Sequence, residues 1–292
     1  MSDWKFPWLR GCVLVVAGLA AALPPALGAA KEPDAKQAAE PDAKQKDDSW
    51  KRERFHISIG VFWPNVDTTL RIDSPLTGGQ GTVLDMEDDL GLPDRETLGI
   101  GSFNWRMARR HTLDFGYFNL GRSGSTTLQA DIKWGDEAFT AGTEVESFFD
   151  TEVFRLAYFY SPIEREKISF FFGGGLYVMN IDVGISDQNP PGLSTSTGLT
   201  APLPVIALGF DYRFYPKWNL GLALEFLDIK IQDIQGRLLN AGGEVGWHTW
   251  KHVGFAFGYK YFDVAIEADE PDFQGIADYR YWGPTFQVTF AW

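Results

Sequence analysis

The chain has 292 residues, of which 45% are hydrophobic and 15% aromatic, with 31 glycines, one cysteine and a formal charge of −13. An acidic chain without clustered Lys and Arg excludes nucleic acid as a partner, because phosphates require a basic face. Aromatic and glycine richness without long apolar runs points to strands rather than helices.

In residues 1–30, Lys5 and Arg10 precede the apolar run CVLVVAGLAAAL, Cys12 to Leu23, and PPALGAA follows with small residues suited to cleavage near Gly28 or Ala30. This order predicts a cleaved secretory signal. The run is short for a membrane anchor, and Pro24 and Pro25 end it. Cys12 opens the run rather than following it, which argues against a lipoprotein attachment. As the only cysteine, it leaves a processed chain with no disulfide or thiolate metal site. Residues 31–53 carry EPDAKQ twice, at Glu32 to Gln37 and Glu40 to Gln45. Charged and proline-punctuated, the segment predicts a disordered periplasmic leader that acts as a spacer.

From residue 54 to 292 the hydrophobic period is two. FHISIGVFW sets Phe55, Ile57, Ile59, Val61 and Trp63 on one face, and EVFRLAYFY sets Phe154, Leu156, Tyr158 and Tyr160 against Arg155 and Ala157. PVIALGFDYRF, NLGLALEFLDIKI, VGFAFGYKYF and FQVTFAW repeat the scheme. About ten strands result, most of them longer than the five or six residues usual in soluble sheets. Eight or twelve are the alternatives, depending on the Ile234–Gly246 stretch and on a hairpin between TTLRID and GTVLDME. Short turns are expected at Ala108–His111, Ser161–Lys167, Tyr215–Trp218 and Thr249–His252. Longer links are expected at Pro64–Glu96, Ser125–Thr143, Asp187–Gly198 and Ala268–Gly275, with a short one near Gln232–Gly236.

Apolar-out, polar-in alternation with asymmetric connections predicts an all-β fold, an antiparallel up-and-down transmembrane β-barrel that spans a bilayer with every backbone amide paired. Aromatics gather in two sets. Trp105, Tyr160, Tyr212, Phe214, Trp218, Trp247, Trp250 and Trp292 lie near the short turns, and Trp63, Tyr117, Tyr259 and Trp282 lie towards the other end, as two membrane interfaces select. A soluble sandwich or lipocalin-like barrel, which would bury the apolar face, is the alternative.

With its signal, hairpin meander, short-turn asymmetry and terminal aromatic strand, the chain resembles bacterial outer-membrane β-barrel proteins, small barrels of the OmpA/OmpW-like architecture. The resemblance covers residues 54–292. It implies an integral, porin-like protein of the Gram-negative cell envelope, with short turns in the periplasm and surface loops outside. It also implies lipid bilayer and lipopolysaccharide as surroundings, and recognition of Phe286, Phe290 and Trp292 by the barrel assembly machinery.

Three places could carry chemistry. The four histidines, His56, His111, His248 and His252, all fall near the short turns. A protease or lipid A hydrolase in the long loops would therefore lack its general base, and no enzymatic role or cofactor is expected. Inward positions Arg106, Asp114, Arg155, Asp211, Arg213, Glu225, Glu244 and Lys260 form a balanced set expected to pair across the lumen. That set serves either a structural plug or the lining of a narrow channel for ions or small solutes. Inward glycines such as Gly173, Gly175, Gly209 and Gly221 widen the lumen or permit curvature. Finally, LDMEDDLGLPDRE crowds acids at Asp85, Glu87, Asp88, Asp89 and Asp94, and EADEPDF adds Glu267, Asp269, Glu270 and Asp272. These offer oxygen ligands for a divalent cation at Asp85, Glu87, Asp88 and Asp89, with solvated loop charge as the alternative. The expected function is a structural or surface-interaction role, with the narrow channel second and an outer-membrane enzyme third.

Overall fold

The computed structural model describes residues 53–189, 192–231, 234–270 and 273–292. The expected signal and all but the last residue of the expected leader lie outside the described residues. The strands, in chain order, are β1 (Phe55–Phe62), β2 (Asn65–Ile72), β3 (Leu84–Asp85), β4 (Leu98–Ala108), β5 (His111–Thr127), β6 (Ile132–Trp134), β7 (Glu137–Phe139), β8 (Glu144–Glu164), β9 (Ile168–Asp187), β10 (Ser194–Tyr215), β11 (Trp218–Ile231), β12 (Ile234–His248), β13 (Val253–Glu270) and β14 (Phe273–Ala291). Among the described residues there is no helix.

Each long strand pairs antiparallel with its successor, and β14 returns to β1 with His56 opposite Ala291 and Phe62 opposite Thr285, which closes the ring. β1 and β2 are two halves of one stave. Pro64 cannot donate to the ladder and breaks the stave. Both halves still pair with β14, β1 through Thr285–Ala291 and β2 through Gly275–Trp282. Trp63 N–H bonds to the Pro284 carbonyl at 3.1 Å across the break. Glycine is required at 283, where a Cβ would stand 2.1 Å from the Trp63 carbonyl oxygen. Counting β1 and β2 as one stave, β4, β5 and β8 to β14 complete a ring of ten.

The faces exchange character part-way along the staves. On the outward face of β8, Glu144, Glu146, Asp150 and Glu152 give way to Phe154, Leu156 and Tyr158. On its inward face, Val145, Phe149 and Val153 give way to Arg155. β5 does the same at Tyr117, with Asn119 and Ser123 beyond it outside and Phe118 and Leu120 inside. Outside, an exposed apolar belt therefore runs from Trp105, Phe214, Trp218, Trp247 and Trp292 at the short-turn end to Trp63, Tyr117, Phe154, Phe226 and Tyr259. On β10 the belt spans Ile206 to Phe214. Roughly nine residues at about 3.3 Å each, tilted by about 40°, cover roughly 23 Å, close to the ~25 Å apolar band of membrane barrels. In water such a contiguous exposed apolar surface would drive aggregation; in a bilayer it is solvated.

Beyond the belt the lumen is a core. Phe118, Phe149, Met179, Ile181, Val183, Ile185, Phe262, Val264, Ile266, Tyr279 and Tyr281 fill it, each buried. The connection between β2 and β4 folds into the mouth and adds Leu84, Met86, Leu90 and Leu92. The β6–β7 hairpin covers it with Ile132, Trp134 and Phe139, held to the β2 end by Gly135 N–H to the Ile72 carbonyl at 3.1 Å.

Two expectations about the links need correction. β9 and β10 extend to Asp187 and from Ser194, and β13 and β14 extend to Glu270 and from Phe273. Those links are therefore shorter than expected, because the alternation continues beyond the apolar belt with its faces exchanged. The Pro64–Glu96 link is long as expected, and within it TTLRID and GTVLDME do meet, Thr69 opposite Asp85 and Leu70 opposite Leu84, while β2 prolongs the first stave and the leucines and Met86 join the core. The β6–β7 hairpin was not legible, since its two strands have only three residues each.

Candidate functional site

Below the core, the lumen turns polar. Arg155 on β8 is the centre. Its Nε donates to both oxygens of Glu225 on β11, at 2.9 and 3.1 Å. One terminal nitrogen donates to Glu225 and the other to Asp114 on β5. Tyr177 on β9 donates to Glu225. Asn240 on β12 donates to Glu225 at 2.8 Å and to the Tyr177 hydroxyl at 2.9 Å. Five staves are thus tied through one carboxylate–guanidinium centre, with Glu225 and Asp114 buried. Lys260 on β13 lies above it, its ammonium 5.1 Å from the Phe118 ring centroid and 5.7 Å from that of Phe262. A cation over two aromatic faces marks the boundary between charged lumen and apolar core.

The remaining inward charges lie nearer the short turns. Arg106 pairs with Glu164. Asp211 and Glu244 flank Gly221 in the β10–β11–β12 register, and Gln287 donates to Glu244 at 3.4 Å. Arg213 is buried on the same inward row of β10 as Asp211. Of the eight inward charges named from the alternation, Asp114, Arg155 and Glu225 form one cluster beside Lys260, and the other four are spread below it. Tyr177, Asn240 and Glu164 were missed. The parity that pointed Arg155 inward also points Tyr177 and Asn240 inward, but uncharged residues gave no reason to select them.

The inward glycines have a steric role. A Cβ on Gly173 would stand 1.9 Å from the Tyr158 carbonyl oxygen, and one on Gly209 would strike the Phe171 ring. Glycine here lets staves and rings approach closely.

The acidic loop rearranges the expected cation quartet. Asp85 and Glu87 meet Asp67 of β2, with carboxylate oxygens within 4.8 Å of one another. Asp88 and Asp89 are exposed and stand outside this trio. Asp88 N–H instead donates to Asp85 at 2.9 Å, and Asp89 accepts from Asp85 N–H at 2.9 Å. Glu87 accepts from Thr68 N–H at 2.8 Å and from Arg122, and Arg280 lies 3.6 Å from Asp67. Hard-cation oxygens are present, but they already face backbone amides and two guanidinium groups.

All four histidines sit at the short-turn end. His111 Nδ1 shares a 2.5 Å hydrogen bond with Tyr158, His248 Nε2 one of 3.0 Å with Asn219, and His252 Nδ1 donates to the Ala291 carbonyl at 2.7 Å. His56 lies in β1 opposite Ala291 and Asn104. Phe286, Phe290 and Trp292 lie on the outward side of β14 and beyond it, where Phe286 stacks on Phe255 at 6.2 Å and Trp292 tilts against Phe55 at 6.1 Å.

The closed antiparallel ring is matched among solved structures. The outer membrane protease OmpT of Escherichia coli superposes with a TM-score of 0.55 at 11% identity, over 82% of this chain and 97% of that one. The protein has the fold of outer-membrane β-barrel proteins. Weaker likenesses are the transport unit of the autotransporter AIDA-I of Escherichia coli (TM-score 0.41, 7% identity, 86% of this chain and 93% of that one) and Ail, the attachment invasion locus protein of Yersinia pestis (TM-score 0.35, 8% identity, 80% and 99%). No family model matches the sequence, and no curated protein matches it. At these identities the outer-membrane barrel fold is common ground, and the activities of those proteins are not transferred with it.

Proposed function

We propose that this protein is an integral outer-membrane barrel with a structural or surface-interaction role. Its short turns face the periplasm, and its loop end stands outside as a rigid, water-exposed tower. The observation that carries the reading is the filled lumen: Phe149, Tyr279, Phe262 and the mouth-closing Met86 and Leu90 occupy the path a solute would take. In this reading the Asp114–Arg155–Glu225 cluster is a cross-brace that holds the staves. Barrels of about eight strands are filled by side chains and open channels appear at about sixteen, so ten staves favour the same view. The narrow channel lined by Arg155 and Glu225 is the competing reading, and no observation raises it above the first.

Catalysis has no part in the proposal. The histidines that could serve as general bases lie at the end opposite the exposed tower. We extend the proposal to biogenesis: Phe286, Phe290 and Trp292 present the aromatic pattern that an assembly machinery reads.

Planar-bilayer recording on the refolded chain, with heat-modifiable gel migration as the control for folding, tests the proposal. A folded, silent barrel supports it. Discrete conductance steps that vanish in Arg155→Ala establish the channel instead.

A further inference from the structure

The short turns carry a feature that neither the lumen nor the tower uses. Every one of them holds exposed cations: Arg109 and Arg110 between β4 and β5, Arg165 and Lys167 between β8 and β9, Lys217 between β10 and β11, and Lys251 between β12 and β13. Among the described residues none of these six forms an ion pair with a carboxylate, whereas most arginines of the staves do. Each turn also sits beside outward apolar side chains at the edge of the belt: Trp105 and Tyr160, Ile163 and Ile168, Tyr215 and Trp218, Trp247 and Trp250. These turns hold one exposed acid, Glu166, against the six cations, so the rim is basic although the chain as a whole carries −13. The opposite border of the belt has the other sign, with Asp150, Glu152 and Asp182 outward on adjoining staves.

We infer that this rim is an annular site for anionic phospholipid headgroups, with the cations on the phosphates and the aromatics seated in the headgroup layer. The inference rests on the membrane reading above. The annular layout favours lipid over a protein partner, because the cations recur at successive hairpins around the circumference instead of gathering on one side. An ammonium or guanidinium held just outside an aromatic border is placed where a headgroup phosphate lies. Basic residues at a membrane surface attract anionic lipid, and the attraction falls off within a Debye length.

The test uses the full chain refolded into phosphatidylcholine vesicles that contain a minority of phosphatidylglycerol. Heat-modifiable migration reports insertion, and electron spin resonance of spin-labelled phosphatidylglycerol against spin-labelled phosphatidylcholine reports selectivity at the protein surface. Wild type is expected to prefer the anionic label by about fivefold at low salt. The preference should fall towards one in R109Q/R110Q/R165Q/K167Q/K217Q/K251Q and at high salt, and persist in the tower variant K133Q/K230Q. An inserted wild type without preference, or an inserted six-site variant that keeps it, overturns the inference while leaving the membrane reading intact. A chain that does not insert at all overturns both.

Discussion

Arg122 on β5 and Glu87 in the mouth-closing loop form a buried ion pair. The Arg122 side chain is 0% exposed, and its second terminal nitrogen donates to Thr68 Oγ1 at 2.6 Å, while the first also reaches the Pro93 carbonyl at 3.3 Å. One guanidinium thus pins the loop at two points to β2 and β5. Removing one partner strands a buried charge, which costs about 3–5 kcal/mol. Arg122→Ala should release the loop, and limited proteolysis should cut residues 73–97 much faster than in wild type while the barrel keeps its folded migration. Arg122→Met with Glu87→Met should restore most of the protection, since a well-packed apolar pair replaces the ionic one at little cost.

The same logic governs the lumen brace. Arg155→Ala leaves Glu225 and Asp114 buried without their cation and should lower the denaturant midpoint by the equivalent of about 3–5 kcal/mol. Glu225→Gln keeps the shape and the bonds to Tyr177 and Asn240 in part, so a smaller loss is expected. Urea unfolding in detergent, followed by tryptophan fluorescence, measures both.

The border of the outward apolar belt lies between Glu152 and Phe154, successive outward positions of β8. Leu156→Arg places a charge against lipid and should cost about 2–4 kcal/mol, whereas Asp150→Arg stays in water and should be near neutral. Equal costs for the two substitutions would displace the border.

Asp150 and Asp182 stand directly opposite each other on β8 and β9. Partial burial and then the Asp182 charge raise the Asp150 carboxyl above its ordinary value, against a lowering contribution from the Arg122 backbone amide. The folded state therefore holds this proton more tightly than the unfolded chain. Stability contributed by the site is largest below the ordinary carboxyl range and falls as pH rises towards the raised folded value. Asp150→Asn should stabilise the tower at neutral pH and flatten the dependence in mild acid. Asp182→Asn should lower the Asp150 midpoint. Carboxyl carbon shifts followed through a pH titration distinguish these outcomes.

Gly173 is the sharpest steric test. A methyl group there would meet the Tyr158 carbonyl oxygen at 1.9 Å, and backbone cannot move aside as a flexible side chain can. Gly173→Ala should cost at least the roughly 1–3 kcal/mol of an overpacked core, read as reduced folding yield on a heat-modifiable gel.

The strands were legible in the residues because two-residue periodicity is a local property: parity alone puts the apolar residues of FHISIGVFW and of FQVTFAW on one face each, and puts Arg155, Glu225 and Lys260 on the face opposite the apolar residues beside them. Parity assigns a residue to a face, but not the face to lipid, water or core. Val145, Phe149 and Val153 alternate with Glu144, Glu146, Asp150 and Glu152 as regularly as Phe154 and Leu156 alternate with Arg155, and only the closed ring shows that the first apolar set fills the lumen while the second faces outward. Closure also brought Asp114, Arg155, Tyr177, Glu225 and Asn240 together from five staves, contacts set by barrel geometry and not by spacing along the chain. The same holds for Met86 and Leu90, which sit among acids in the sequence. Their burial follows from the open mouth above them, because a hydrophobic side chain is stabilised by whatever apolar surface the rest of the fold brings within reach.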